Sequence, residues 1–362
     1  MTSAATGRRI EDRLGDLHAR IAGEPLPGDE RYYVSGRGYL DATQVGAESD
    51  RFAISVATID GEHFDVGDHT AAFPLHSVSK VFTYALALAD HGPDRVLERV
   101  GVEPSGDPFN ALRVDERTMR PYNPMVNAGA LVTNDLLLGA DPDQRLARAL
   151  QLLRDGAGDQ QLAVDQVTLD AEVASADRNR GAAYLMRGAG MLHGRVDDIL
   201  RLYLAQCSVH VTSVALATMG ATLANGGRNP VTGSRVLPRR LVRDVLSVMH
   251  TCGMYDYAGT WAFEIGIPAK SGVGGAILAV IPGKLGIGVY APGLDGQGNS
   301  VRGIRVCREL SERLGLHVFA TPDEDALLTP ATPADRTIPP SVEPDLPPAT
   351  DLTMETDAVV RH

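Results

Sequence analysis

Strand-like alternation marks the two ends of the body of this chain, with a long helical stretch between. Phe52-Ala53-Ile54-Ser55-Val56-Ala57-Thr58-Ile59 alternates with a period of two, Asp60-Gly61 is a hairpin turn, and a partner strand is expected over 62–67. From about residue 78 to 250 the pattern is mostly helical. Strand character returns at 261–268, at Ala276–Ile281 and, after the turn Pro282-Gly283-Lys284, at Leu285–Tyr290. Strands so far apart form one sheet only by pairing across everything between them. The expected architecture is therefore α/β of the α+β kind: a mostly antiparallel sheet from about 50–70 and 260–315, helices against it, and a helical subdomain over about 100–250. Helical spacing of Ile10, Leu14, Leu17 and Ile21 adds an N-terminal helix over 7–22, and residues 303–314 read as a closing helix. A site is expected in the crevice between sheet and subdomain.

One helical start carries chemistry. In Leu75-His76-Ser77-Val78-Ser79-Lys80-Val81-Phe82, Ser77 and Lys80 are three apart and share one side of a helix that Gly92-Pro93 ends. A lysine strips a serine of its proton only if burial or a nearby cation lowers its pKa. The Ser77 amide would lie at the helix N-terminus, where developing negative charge is favoured. A four-residue pattern alone occurs by chance, but lysine usage sharpens it. Only three of the 34 basic side chains are lysines: Lys80, Lys270 and Lys284. Arginine cannot give up its proton, so a lysine retained among arginines points to a group that must. Lys270 opens Lys270-Ser271-Gly272, and Ser-x-x-Lys with a downstream Lys-[Ser/Thr]-Gly is the pairing of serine acyl-transfer enzymes of the β-lactamase and penicillin-binding type.

Composition narrows the partners. The chain has 362 residues, is 44% hydrophobic and carries a net charge of −12, enough for a sizeable core and against nucleic acid or an anionic membrane as partner. No apolar run has the length of a membrane span, and Arg8-Arg9 has no apolar core behind it to make a secretory signal. Cys207, Cys252 and Cys307 are odd in number and widely spaced, which fits a reducing cytoplasm. No metal-ligand motif is present. Residues 321–362 hold nine acidic residues against two arginines among many prolines. They read as a disordered acidic tail behind a catalytic domain over 1–320.

Further polar residues stand among small ones: Asn127 in Asn123-Pro124-Met125-Val126-Asn127-Ala128-Gly129-Ala130; Glu172 and Asn179, seven apart and so able to face one side of a helix; Tyr203 ahead of Cys207-Ser208; Tyr255 in Cys252-Gly253-Met254-Tyr255-Asp256; and Lys270-Ser271-Gly272-Val273-Gly274-Gly275, whose glycines let a ligand approach the backbone. Singly, each also reads as a cap or a half-buried polar residue. Together with Gly101-Val102-Glu103-Pro104-Ser105-Gly106-Asp107-Pro108-Phe109-Asn110, Arg178-Asn179, Leu223-Ala224-Asn225-Gly226-Gly227 and Gly298-Asn299-Ser300-Val301, in order over about 50–315, the chain resembles the serine-dependent glutaminases. These are β-lactamase-like amidohydrolases that turn L-glutamine into L-glutamate and ammonia.

The resemblance implies a β-lactamase/penicillin-binding-protein-like fold, a homodimer or homotetramer, and no metal or organic cofactor. It also implies roles. Ser77 is the nucleophile, Lys80 its proton partner, Tyr255 a proton relay, and Lys270 a basic residue whose positive charge favours the Tyr255 phenolate. The amides of Ser77 and Val273 form the oxyanion hole. Asn127, Glu172, Asn179 and Tyr203, with Tyr39 as the N-terminal tyrosine, hold the α-amino and α-carboxylate ends of the substrate. His76 stands where the family usually has Gln, and Ala215 where Asp is common. Other readings are a β-lactamase or peptidase of the same fold, or a non-catalytic glutamine- or glutamate-sensing domain. The lack of Ser-Asp-Asn or Tyr-x-Asn between the lysine motifs speaks against the first, and the presence of both lysines and Tyr255 against the second.

Overall fold

A computed structural model of the chain describes residues 3–320, apart from position 109. The acidic tail over 321–362 lies outside the described residues. The chain runs through α1 (Ser3–Gly23), a small hairpin β1–β2 (Tyr32–Val34, Gly38–Leu40), α2 (Ala42–Val45) and the hairpin β3–β4 (Ala53–Thr58, His63–Gly67). β5 (Phe73–Pro74) enters a 3-10 turn (His76–Val78) that continues into α3 (Ser79–His91) and α4 (Pro93–Leu97). Then come α5 (Asn127–Asp135), α6 (Pro142–Ala157), α7 (Gln166–Ala174), α8 (Asp177–Gly188), α9 (Val196–Cys207), β6 (His210–Val211), α10 (Ser213–Ala224), α11 (Arg239–Cys252) and α12 (Ala258–Glu264). β7 (Ala269–Gly272), β8 (Ala276–Ile281), β9 (Leu285–Tyr290) and α13 (Val301–Leu314) close the body.

The five-stranded sheet has the order β4-β3-β9-β8-β7 and is antiparallel throughout. Its seam joins the two ends of the body in register, Ala53 opposite Tyr290 and Thr58 opposite Leu285. The expected antiparallel sheet with helices against it is borne out. On one face Leu14, Leu17 and Ile21 of α1 share a core with Ile54, Ile277 and Val306. On the other lies α10, whose small residues meet the glycines of β9. A Cβ at Gly286 would sit 2.2 Å from the Ala221 amide, and one at Gly288 2.3 Å from the Ser213 carbonyl. Gly286 and Gly288 are two apart, so they share one face of the strand and let the helix backbone lie directly on it. A third core joins α5, α8 and α9 through Leu131, Met186 and Leu200. Among the described residues no helix is long and apolar enough to cross a membrane.

Two expectations are corrected. Residues 261–268 are not a strand: α12 occupies Ala258–Glu264, and β7 begins at Ala269. A strand would put Trp261, Phe263 and Ile265 on one face, yet Trp261 and Ile265 are fully buried and Phe263 is 86% exposed. The helix instead turns Ala258, Trp261 and Ile265 inward at spacings of three and four, and Trp261 Nε1 donates to the Ile267 carbonyl at 2.6 Å. Glu172 and Asn179 do not share a helix either. Glu172 is on α7 and Asn179 on α8, because the chain leaves the helical path at Ser175 and Ala176.

Candidate active site

The turn His76–Val78 is held from below. The Leu75 amide donates to the Val209 carbonyl at 2.9 Å, and Ser79 Oγ donates to the His76 carbonyl at 2.7 Å. His76, at φ 45°, is left-handed although it carries a side chain, and Tyr255, at φ 58°, is another such residue. That conformation is disfavoured outside glycine and gathers at functional sites. Ser77 and Lys80 remain one turn apart where the 3-10 turn passes into α3, and Lys80 Nζ lies 3.1 Å from Ser77 Oγ. The amine donates to Asn127 Oδ1 at 2.6 Å and to the Met125 carbonyl at 3.2 Å. Burial drives its pKa down to about 7. The buried lysine that the chemistry requires is therefore present, and it loses its charge near neutral pH.

The other side of Ser77 is built by the 3-10 turn Tyr255–Tyr257, which follows α11, and by β7. Tyr255 is hydrogen-bonded to the Ser77 side chain, and its hydroxyl donates to the Ser271 carbonyl at 2.9 Å. Lys270 Nζ lies 4.2 Å from the centre of the Tyr255 ring and donates to the carbonyls of Gly253 and Ser271 at 3.1 and 2.7 Å. Burial first, and then the neighbouring Lys80, push Lys270 well below the ordinary lysine value. Burial raises the Tyr255 phenol, with the Ser77 bond opposing. Desolvation thus makes Tyr255 a proton donor at rest rather than a phenolate. Beyond β7, the segment holding Val273 crosses the serine turn: a Cβ on Gly272 would lie 3.3 Å from the Leu75 carbonyl. Beside Tyr255 a cavity of about 10 Å³, lined by Asn123, Met125, Val126 and Cys252 among others, has room for one water.

The far wall comes from the helical unit. Asn127 opens α5, and its Nδ2 donates to Asn179 Oδ1 at 2.8 Å. The Tyr203 hydroxyl points at Asn127 Oδ1 from 3.4 Å. Glu172, buried on α7, accepts from the Tyr33 hydroxyl at 3.0 and 3.2 Å, one bond to each oxygen. Tyr33 is a site residue that sequence reasoning missed. It stands in a small hairpin within 23–50, a stretch of turn formers without periodicity, and nothing local distinguishes it from Tyr32 or Tyr39. Tyr39 is 42% exposed at the rim and packs edge-on against Tyr33 at 5.4 Å between ring centres. Ala215 lies in the first turn of α10, where its amide caps onto Thr212 Oγ1 at 3.2 Å.

Residues 43–319 match the family model described as Glutaminase. A glutaminase of Nostoc sp. is 52% identical over 270 residues, spanning 75% of this chain and 80% of that one. Glutaminase 2 of Clostridium perfringens is 44% identical over 301 residues, 82% of this chain and 98% of that one. Among solved structures, Mglu in its tris and glutamate form superposes with a TM-score of 0.79 at 43% identity, covering 87% of this chain and 68% of that one. A probable glutaminase, ybaS, also gives 0.79, at 34% identity, over 87% of this chain and 99% of that one. With the serine, the buried lysine and the tyrosine in contact and the match running through nearly the whole body, the chain belongs to the glutaminase family.

Proposed function

We propose that the chain hydrolyses L-glutamine to L-glutamate and ammonia through a glutamyl ester on Ser77. The observation that carries this reading is the 3.1 Å approach of a buried, readily neutralised Lys80 amine to the Ser77 hydroxyl. Lys80 takes the Ser77 proton as Oγ attacks the side-chain amide carbon. The resulting oxyanion rests on the amides of Ser77 and Val273, donors that typically contribute about 3 kcal/mol each. Tyr255 gives its proton to the departing nitrogen, which leaves as ammonia. The phenolate so formed, paired with the Lys80 ammonium, then takes a proton from water. The hydroxide attacks the ester, and Ser77 Oγ recovers its proton from Lys80 as glutamate is released.

The substrate is gripped at both α-charges. Glu172, held by Tyr33, takes the ammonium, and Asn127, Asn179 and Tyr203 supply donors for the carboxylate. Holding both ends brings the amide carbon within reach of Oγ, where positioning accounts for much of the acceleration. Ammonia release from L-glutamine tests the assignment. Ser77→Ala is expected to lose at least about three orders of magnitude in kcat/KM. Turnover comparable with wild type would remove Ser77 as nucleophile.

A further inference from the structure

His76, where the resemblance leads one to expect Gln, is wedged into the wall that holds Glu172. Its imidazole is buried, with Nδ1 4.0 Å from Glu172 Oε1. Its ring stands edge-on to Tyr33, 5.3 Å between centres. The Tyr33 hydroxyl already donates to both Glu172 oxygens. On the opposite edge the ring lies over Gly274, where an added Cβ would come within 2.8 Å of His76 Cδ2. We infer that His76 is a specificity-determining residue that makes the grip on the substrate α-ammonium depend on pH: neutral, it leaves the Glu172 charge to the ligand; protonated, it takes that charge and repels the ammonium. This rests on the assignment of Glu172 as the ammonium holder.

The surroundings make His76 the group that switches. The titratable groups acting on it are Glu172 on α7, His210 on β6 and Tyr33 on β1, while Lys80 on α3, Tyr203 and Cys207 on α9 and Lys270 on β7 belong to the elements packed against its turn. Burial raises Tyr33, Tyr203 and Cys207, so these three stay neutral in acid-to-neutral solution, and burial depresses the proton affinity of Lys270. Burial also pushes His76 below the ordinary histidine value, with Glu172 opposing and His210 adding a smaller push in the same direction. The enzyme is therefore in its binding form at neutral pH and leaves it on acidification. L-Glutamine keeps both α-charges across that range, so the change belongs to the protein.

The test is KM and kcat for L-glutamine between about pH 5 and about pH 7.5, in wild type and His76→Gln. Wild-type KM is expected to rise severalfold toward the acid end of that interval, and that of the variant less than twofold. The Lys80 limb in kcat is common to both. Equal KM ratios in the two proteins would overturn the proposal. Should His76→Gln not fold, Ser77→Ala with His76 intact serves for calorimetry. Acid should weaken L-glutamine but not glutaramate, which lacks the α-amino group, and equal weakening of both would overturn the proposal. Glu172→Gln separates the two readings. A raised KM at about pH 7.5 supports the ammonium assignment whatever His76 does, whereas an unchanged KM sinks both.

Discussion

Lys80 shows how much a single side chain changes on entering the fold. In the sequence it is one of three lysines in a suggestive spacing; in the structure it is buried against Ser77, Met125 and Asn127, and its pKa falls to about 7. On the proposed mechanism the neutral amine is the working form, so kcat should climb as pH rises through about 7 and then level off in a pH–rate profile. Lys80→Arg keeps the charge but cannot lose it and should cost at least about three orders of magnitude in kcat. Stability follows the same sign. The folded pKa lies below the unfolded value of 10.5, so the unfolded chain binds the extra proton between about 7 and 10.5. Wild type should therefore gain on Lys80→Met in denaturant midpoint as pH rises through that window, and a flat difference would argue against a buried, neutral Lys80. The Ser77–Lys80 relation was legible because three residues along one turn fix it. The charge states of Lys80 and Lys270 were not, because desolvation depends on residues from α5, α9 and α11 that only packing brings near.

At the scale of elements, backbone proximity is the governing feature. The α10 backbone lies on β9 because Gly286 and Gly288 leave no side chain between them. Gly286→Ala would press a Cβ 2.2 Å from the Ala221 amide and 2.4 Å from the Ala217 carbonyl, and should cost about 3 kcal/mol or more in chemical denaturation. Gly181, within α8 and facing open space, is the contrast: Gly181→Ala should stabilise by about 0.5–1 kcal/mol. The strands over 276–281 and 285–290 were legible from alternation and their turn. The 261–268 stretch was not, since bulky apolar residues every second position fit a strand as well as they fit a short helix whose outward Phe263 is left in solvent. The break between α7 and α8 likewise lacks the proline or glycine that would have announced it.

At the scale of the whole molecule, the sheet closes only after the helical unit has been traversed, since Ala53 pairs with Tyr290. The turn carrying Ser77 sits where these parts meet, with β7 on one side and α5, α7 and α9 on the other. Leu200→Ala in the helical core and Ile277→Ala in the sheet core, both nearly fully buried, should each cost about 2–5 kcal/mol. Both should lower one shared calorimetric transition, and two separated transitions would show that the parts unfold independently. The chain by itself determined what is local: the alternating strands, the N-terminal and closing helices, and the serine and lysine one turn apart, because periodicity and turn chemistry act over a few residues. Tertiary structure alone decided which distant groups share the pocket, above all Tyr33 on Glu172, and which of them carry charge. Both depend on contacts between residues remote in sequence and on the removal of water from around them.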